Sequence, residues 1–132
     1  MANAKNIKEP VTQPGKYQSK TAAYTIKNSE SGTTFMWHSA TAFNFSLPPV
    51  QIGKKGVYFD FIIRTAATSG TGHGVSPSAN DQVFTPGATW TDNKDVYFAT
   101  AGDAVGNGFR LTSDGVDGWI LTHLNGTLSQ EA

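Results

Sequence analysis

Carboxylates, histidines and serines are the side chains of this sequence that could take part in catalysis. Asp60 stands between Phe59 and Phe61 in an apolar run, and a desolvated carboxylate in that position needs a partner or a raised pKa. A hydrolase would pair Asp60 with a second carboxylate as acid and base. The flanking aromatic residues favour a hydrogen-bonded or interface-facing Asp60 instead, and no Gly-x-Ser-x-Gly motif is present. We therefore expect that the protein is not an enzyme.

Metal ligation is the second chemistry that the residue types suggest. The three histidines have no paired ligand spacing and no obvious carboxylate partner; they are His38, His73 and His123. Asp92 with Asp95, and Asp114 with Asp117, lie in loops that could offer oxygen ligands to calcium. Calcium takes about six to eight oxygens, and the EF-hand pattern with its distal Glu is absent. Because Asp-Gly is also ordinary turn chemistry, we expect no metal and no cofactor.

Phosphate and nucleic-acid binding are weakly supported. The Gly70-x-Gly72-x-Gly74 sequence follows a predicted strand but opens no helix, so a phosphate cradle is not indicated.

Residues 1–55 carry seven lysines against two glutamates, whereas residues 56–132 carry three basic residues against eight acidic ones. Nucleic-acid binding requires a basic body. We expect no nucleic-acid partner, and a basic N-terminal arm that docks on an acidic surface or on a neighbouring copy.

The elements that must position these side chains are short strands. Phe43 to Leu47 alternates apolar and small polar residues, and Val57 to Ile63 is the most apolar run in the chain. Val57, Phe59, Phe61 and Ile63 share one face of the second strand. These two strands are predicted to form the central wall of a core, together with the other large aromatic residues: Phe35, Trp37, Phe43, Phe45, Phe109 and Trp119.

Turn chemistry separates the remaining strands, and no segment has helical periodicity. The first plausible strand lies between Tyr17 and Lys27, and Asn125-Gly126 predicts a tight turn near the end of the chain. We predict one all-β domain of about eight or nine short strands, arranged as a sandwich or barrel-like fold. The predicted division is an extended arm at residues 1–20 and the all-β domain at residues 21–132. No apolar run approaches the ~20 residues of a membrane span, so no membrane partner is expected.

The order of several motifs resembles that of small structural proteins of tailed-phage virions. These motifs cover roughly residues 24–128 and include Gly56-Val57-Tyr58-Phe59-Asp60-Phe61, Gly72-x-Gly74-Val75-Ser76-Pro77-Ser78-Ala79-Asn80-Asp81, Ala104-Val105-Gly106-Asn107 and Asp114-Gly115-Val116-Asp117-Gly118-Trp119. Proteins of this family are usually capsid decoration, or cement, proteins. The resemblance implies an all-β module, often a homotrimer, that is added to the capsid exterior and braces neighbouring subunits of the major capsid protein.

This resemblance gives the expected function and localisation. We expect a virion protein that is made in the host cytoplasm and then binds the outer capsid surface. The arm is the expected contact with the shell, through Lys5, Ile7, Lys8, Val11, Lys16 and Lys20. Trp90, between two threonines in a loop, and Asp60 are the expected anchors for contacts between copies. The alternative is a tail-fibre or receptor-binding module that stacks a carbohydrate on Trp90.

Overall fold

A computed structural model describes residues 16–68, 71–87, 89–99 and 103–131 of the chain. Its regular structure is almost entirely β-strand, which confirms the predicted all-β class. The structure describes 11 strands, more than predicted, because several are only two or three residues long. They are β1 (Lys16–Lys20), β2 (Tyr24–Thr25), β3 (Thr33–His38), β4 (Asn44–Ser46), β5 (Tyr58–Thr65), β6 (Gly74–Ser76), β7 (Gln82–Phe84), β8 (Val96–Phe98), β9 (Gly108–Ser113), β10 (Gly118–Asn125) and β11 (Leu128–Gln130).

The strands form two sheets that pack face to face as a sandwich. Sheet A has six strands in the order β1-β3-β5-β9-β10-β7, and sheet B has five in the order β11-β8-β6-β4-β2. The chain alternates between the sheets from β1 to β9. As a result β1, β3 and β5 are parallel in sheet A, and β2, β4 and β6 are parallel in sheet B. Among the later strands, β9 pairs with β10 and β8 pairs with β11, both antiparallel, whereas β7 pairs with β10 in parallel.

Both sheets divide along the same line between early and late parts of the chain. Residues 16–73 supply one lateral side of the sandwich, β1, β3 and β5 of sheet A with β2 and β4 of sheet B. Residues 74–131 supply the other side, which ends at the edge strands β7 and β11. Lys16 and Lys20 in β1 therefore lie on the opposite lateral side from Asp81 and Asp92 beside β7, whereas Lys54 and Lys55 lie against the turn at Gly115.

The core lies between the sheets and follows the predicted alternation. In β5, Phe59, Phe61 and Ile63 are fully buried, while Asp60 and Ile62 are half-buried on the outer face of sheet A. The predicted core aromatics are buried, except that Phe43 is half-buried and packs against the cluster. Each buried large apolar side chain contributes about 1.5–3 kcal/mol of transfer free energy, so the aromatics of both sheets supply the largest stabilising term.

Two local features differ from the sequence prediction. The first predicted strand is split: β1 lies in sheet A and β2 in sheet B, separated by residues 21–23. The two strands of the predicted central wall, β4 and β5, also lie in opposite sheets. A 3-10 turn at Asn28–Glu30 follows β2. Within the described ranges, we find no helix long and apolar enough to span a membrane.

Candidate functional site

The most exposed tryptophan lies on the loop that follows β7. The Trp90 side chain is 56% exposed, yet its position is fixed by two contacts. Its ring centroid lies 4.6 Å from that of Phe84, and its indole N–H donates to the Thr85 carbonyl at 3.3 Å. We call the surrounding hollow of about 430 Å³ the Trp90 surface; it is lined by Phe84, Thr85, Pro86, Gly87, Trp90 and Ile120.

A second hollow adjoins the Trp90 surface and shares its Thr85–Gly87 wall. This space of about 390 Å³ lies where the edge of sheet A meets the edge of sheet B, and we call it the β7–β11 groove; its lining is Thr85, Pro86, Gly87, Leu124, Gly126, Thr127, Leu128, Ser129 and Gln130. The Gln130 side chain donates to the Thr89 carbonyl at 3.1 Å, which ties β11 to the loop that carries Trp90. The two hollows therefore form one continuous surface with mixed apolar and polar walls.

Carboxylates gather beside this surface. Asp92 lies two residues after Trp90 and accepts a hydrogen bond from the Gln82 side chain at 3.0 Å. Asp81 is buried, and burial raises its pKa, with a further rise from the charges of Asp117, Asp92 and Asp114. A hydrogen bond of 2.8 Å from the Val50 N–H opposes that rise. The late edge of the sandwich is therefore acidic as well as apolar.

Asp60, the second predicted anchor, is paired within the sheet. Arg110 donates to both of its carboxylate oxygens, from Nε at 2.7 Å and from Nη2 at 3.1 Å. The guanidinium also lies 4.7 Å from the centre of the Tyr58 ring, and the hydrogen bond to Asp60 raises the pKa of Arg110. A satisfied carboxylate that is 28% exposed is poorly placed to act as a general base, but it can still contribute to a polar contact surface.

Asp60 and Trp90 lie on the same side of the sandwich but are not adjacent. Asp60 pairs with Arg110 of β9, and Arg110 pairs with Thr122 of β10. Ile120, two residues before Thr122, is exposed on the same face and lines the Trp90 surface. The two predicted anchors thus stand at different places on the outer face of sheet A.

The three histidines do not form a joint site. His73 is fully buried; its Nδ1 accepts from the Phe43 N–H at 3.2 Å, so Nε2 carries the proton and donates to the Thr65 carbonyl at 2.9 Å. His38 bonds to Thr65 and Arg64, whereas His123 is exposed. No group of three metal-ligating side chains occurs among the described residues.

The glycines around His73 pack tightly. A Cβ on Gly72 would lie 2.5 Å from the Phe98 carbonyl oxygen, and a Cβ on Gly74 would collide with the carbonyl of Val96. Asp103 accepts from the His73 N–H at 2.9 Å and fixes the loop from outside. The Gly-x-Gly spacing thus serves close packing of backbone rather than a phosphate cradle.

The aspartates proposed as calcium ligands have protein donors. Asp114 Oδ1 accepts the N–H groups of Val116, Asp117 and Gly118 at 2.8, 3.0 and 3.1 Å. Burial of Asp114 acts to raise its pKa, but these donors outweigh burial and lower it. Asp95 accepts from Asn44 at 3.1 Å. These are turn and loop contacts, as the structural interpretation of the Asp-Gly sequences predicts.

The predicted arm residues divide into two groups. Lys5, Ile7, Lys8 and Val11 lie outside the described residues. Lys16 and Lys20 lie in β1, at the free edge of sheet A, where Lys16 Nζ donates to the Ser31 carbonyl at 3.4 Å and Lys20 Nζ lies 3.9 Å from the Tyr24 ring centre. The β7–β11 groove was not predicted, because no sequence pattern indicates that the edges of two different sheets meet.

Comparison with known proteins does not assign the chain to a family. No protein-family model matches the sequence, and no curated protein is significantly similar to it. The site is therefore interpreted from its own geometry.

Proposed function

We propose that this protein is a non-enzymatic virion structural protein of a tailed bacteriophage. It decorates the outer surface of the capsid and stabilises contacts between major capsid protein subunits, after synthesis in the host cytoplasm. The observation that carries the proposal is the Trp90 surface: a large aromatic side chain that is exposed yet held by Phe84 and by the Thr85 carbonyl. Rigid, partly exposed aromatic residues are typical anchors of protein contacts.

Side chains that were candidates for catalysis have hydrogen-bond partners within the protein, which supports a binding role. The Asp60 carboxylate is hydrogen-bonded to Arg110, and both ring nitrogens of His73 are hydrogen-bonded to backbone groups. The resemblance in motif order points to the same class of protein. Each copy stabilises the assembled shell because it binds that state and not the separate subunits. Lys5 and Lys8 of the arm supply positive charge for an acidic shell surface.

Binding to preassembled shells of the major capsid protein tests this function. Full-length protein is mixed with empty shells and with unassembled subunits, and bound protein is measured after sedimentation. We expect saturable binding to shells alone, and shells that open at higher temperature when decorated. Lys5→Glu combined with Lys8→Glu should weaken binding, while Lys54→Glu combined with Lys55→Glu, two exposed lysines of the body, serves as the matched charge control.

A carbohydrate-binding module is the competing interpretation of an exposed tryptophan. It predicts retention on a polysaccharide column that is lost in Trp90→Ala, with no binding to shells. That pair of results would overturn the decoration proposal. Shell binding without retention on the column would exclude the carbohydrate role.

A further inference from the structure

The two lateral sides of the sandwich carry opposite charge. Residues 16–73 hold six basic residues against Glu30 and Asp60, a net charge of +4. Residues 74–131 hold seven acidic residues against Lys94 and Arg110, a net charge of −5. Because the sheets divide along the same line, β1 lies at the basic edge and β7 at the acidic edge. Lys16 and Lys20 lie at the basic edge itself, and Asp81 and Asp92 lie beside β7, whereas Lys54 and Lys55 lie against the turn at Gly115.

Each edge also exposes apolar surface. At the acidic edge are Trp90, 56% exposed, and Ile120, 43% exposed, beside the β7–β11 groove. At the basic edge Tyr17 of β1 is 65% exposed. Lys16 and Lys20 belong to the same strand but project from its other face, and Asp92 follows Trp90 by two residues. An apolar and cationic edge thus complements an apolar and anionic one.

The segment that precedes β1 has the composition that the acidic edge would accept. Residues 1–15 contain Lys5 and Lys8 against Glu9, with the apolar residues Ile7 and Val11 and two prolines that favour extended backbone. An extended proline-containing segment packs well on an exposed aromatic ring. This segment enters the sheet at Lys16, and therefore at the basic edge.

We propose that the Trp90 surface and the β7–β11 groove receive the N-terminal segment and the basic β1 edge of a second copy of this chain. Within one molecule the two edges are separated by five strand spacings, about 24 Å, so their charges can meet only between molecules. The contact joins two different surfaces and is therefore heterologous. Copies joined in this way form a closed ring or an open filament.

This inference deepens the proposed function, and rests on it for the role of the assembly, but it is tested on the protein alone. Native protein that self-associates without shells but does not bind shells would refute the proposed function alone, and native protein that binds shells but stays monomeric without them would refute this contact alone. The sequence contains no cysteine, so single cysteines introduced by mutation report proximity without background. Two full-length variants are mixed under mild oxidation: Val11→Cys, in the N-terminal segment, and Thr127→Cys, on the exposed wall of the groove.

We expect a disulfide-linked heterodimer from this mixture, at least about tenfold above a mixture of Val11→Cys with Val105→Cys. Val105 is 68% exposed on the loop before β9, away from both edges of the sheet. Equal yields in the two mixtures would overturn the proposal. A double variant carrying Val11→Cys and Thr127→Cys that closes within one chain would also overturn it, because the segment would then occupy its own groove.

Sedimentation equilibrium of full-length variants provides the second test. Trp90→Ala should weaken self-association about tenfold or more, a loss of about 1.4 kcal/mol, with an unchanged circular dichroism spectrum. Lys16→Glu with Lys20→Glu should weaken it too, and adding Asp92→Lys should restore part of the loss. A monomeric native protein at every concentration, or association unaffected by Trp90→Ala, would refute the contact.

Discussion

The two lateral sides of the sandwich are built in different ways, although they share one core. On the side formed by residues 16–73, strands of the same sheet are parallel, and each connection between them passes through a strand of the opposite sheet. Parallel pairs need a long crossover, which is usually a helix; here a strand takes that place. On the side formed by residues 74–131, antiparallel pairs prevail.

The early side contributes mainly to the stability of the core, whereas the late side carries the exposed groups of the candidate contact surface. The early side contributes the dense aromatic cluster around Trp37, whose ring lies within 5.8 Å of Phe45, Phe61 and His73. The late side carries the loop of Trp90 and most of the acidic residues. The loop that carries Trp90 joins β7, the edge strand of sheet A, to β8 of sheet B, so it lies at the edge of the sandwich and leaves the Trp90 ring exposed. The following predictions test this division, from the largest effect to the smallest.

Tryptophan truncation should separate the two sides most clearly. Trp37→Ala removes a fully buried ring and its hydrogen bond to the Gly74 carbonyl, and should lower the free energy of unfolding by about 3–5 kcal/mol. Trp90→Ala, matched in chemistry but exposed, should lower it by less than about 1 kcal/mol. Urea unfolding followed by circular dichroism measures both. Similar losses for the two variants would contradict the division.

Glycine substitution tests close packing between sheet strands. Gly74→Ala should destabilise the protein by about 1–3 kcal/mol through overpacking, since its Cβ would meet the Val96 carbonyl and lie 2.8 Å from Tyr97 Cβ. Gly56→Ala is the control, because Gly56 has φ +84° and open space around it. Gly56→Ala should lower the free energy of unfolding only by the strain of left-handed backbone, about 1–2 kcal/mol. A Gly74→Ala crystal structure without displacement of β8 would show that the packing argument is wrong.

Acid should release the hydrogen bonds that hold β1 and β2 to the 3-10 turn. Partial burial acts to raise the pKa of Glu30, but donors from the Lys27 backbone, Tyr24 and Gln18 outweigh it, so the folded-state pKa lies below 4.5. The stabilisation is therefore present above pH 4.5 and lost as pH falls through the folded-state pKa. Glu30→Gln should lower stability at pH 7 by about 1 kcal/mol. Its difference from the native protein should shrink toward pH 3, as measured by urea unfolding at each pH.

Asp81 should behave in the opposite way. Its pKa is raised above 3.8 by burial and by neighbouring carboxylates, so its favourable contribution is complete at low pH and is lost as pH rises through the folded-state value. Asp81→Asn removes the charge and keeps an oxygen for the Val50 N–H. The variant should be slightly more stable than the native protein at pH 7 and equal to it near pH 3. A less stable variant at pH 7 would mean that the charge of the accepting oxygen outweighs the cost of its burial.

The degree to which the sequence predicted the site differs between the two anchors. The Trp90 side chain was predicted to be exposed from its polar neighbours, and it is. The pairing of Asp60 with a residue 50 positions later is a long-range contact, and nothing local to either residue indicates it. His73, which lies between glycines in a small-residue loop, has a fully buried ring. Its burial depends on Trp37 and Phe43 packing against it, which no local pattern specifies.

By itself, the sequence determined the strand class, the inward faces and the separation of charge. Alternation of apolar side chains and turn residues acts over a few positions, so these properties are local. Only the tertiary structure decided that β4 and β5 lie in opposite sheets and that residues 85–87, after β7, line a groove together with β11. It also decided that Lys16 and Lys20 lie at the edge opposite to Asp81 and Asp92. Strand order depends on which faces pack together across the whole chain, and that is a property of the complete core.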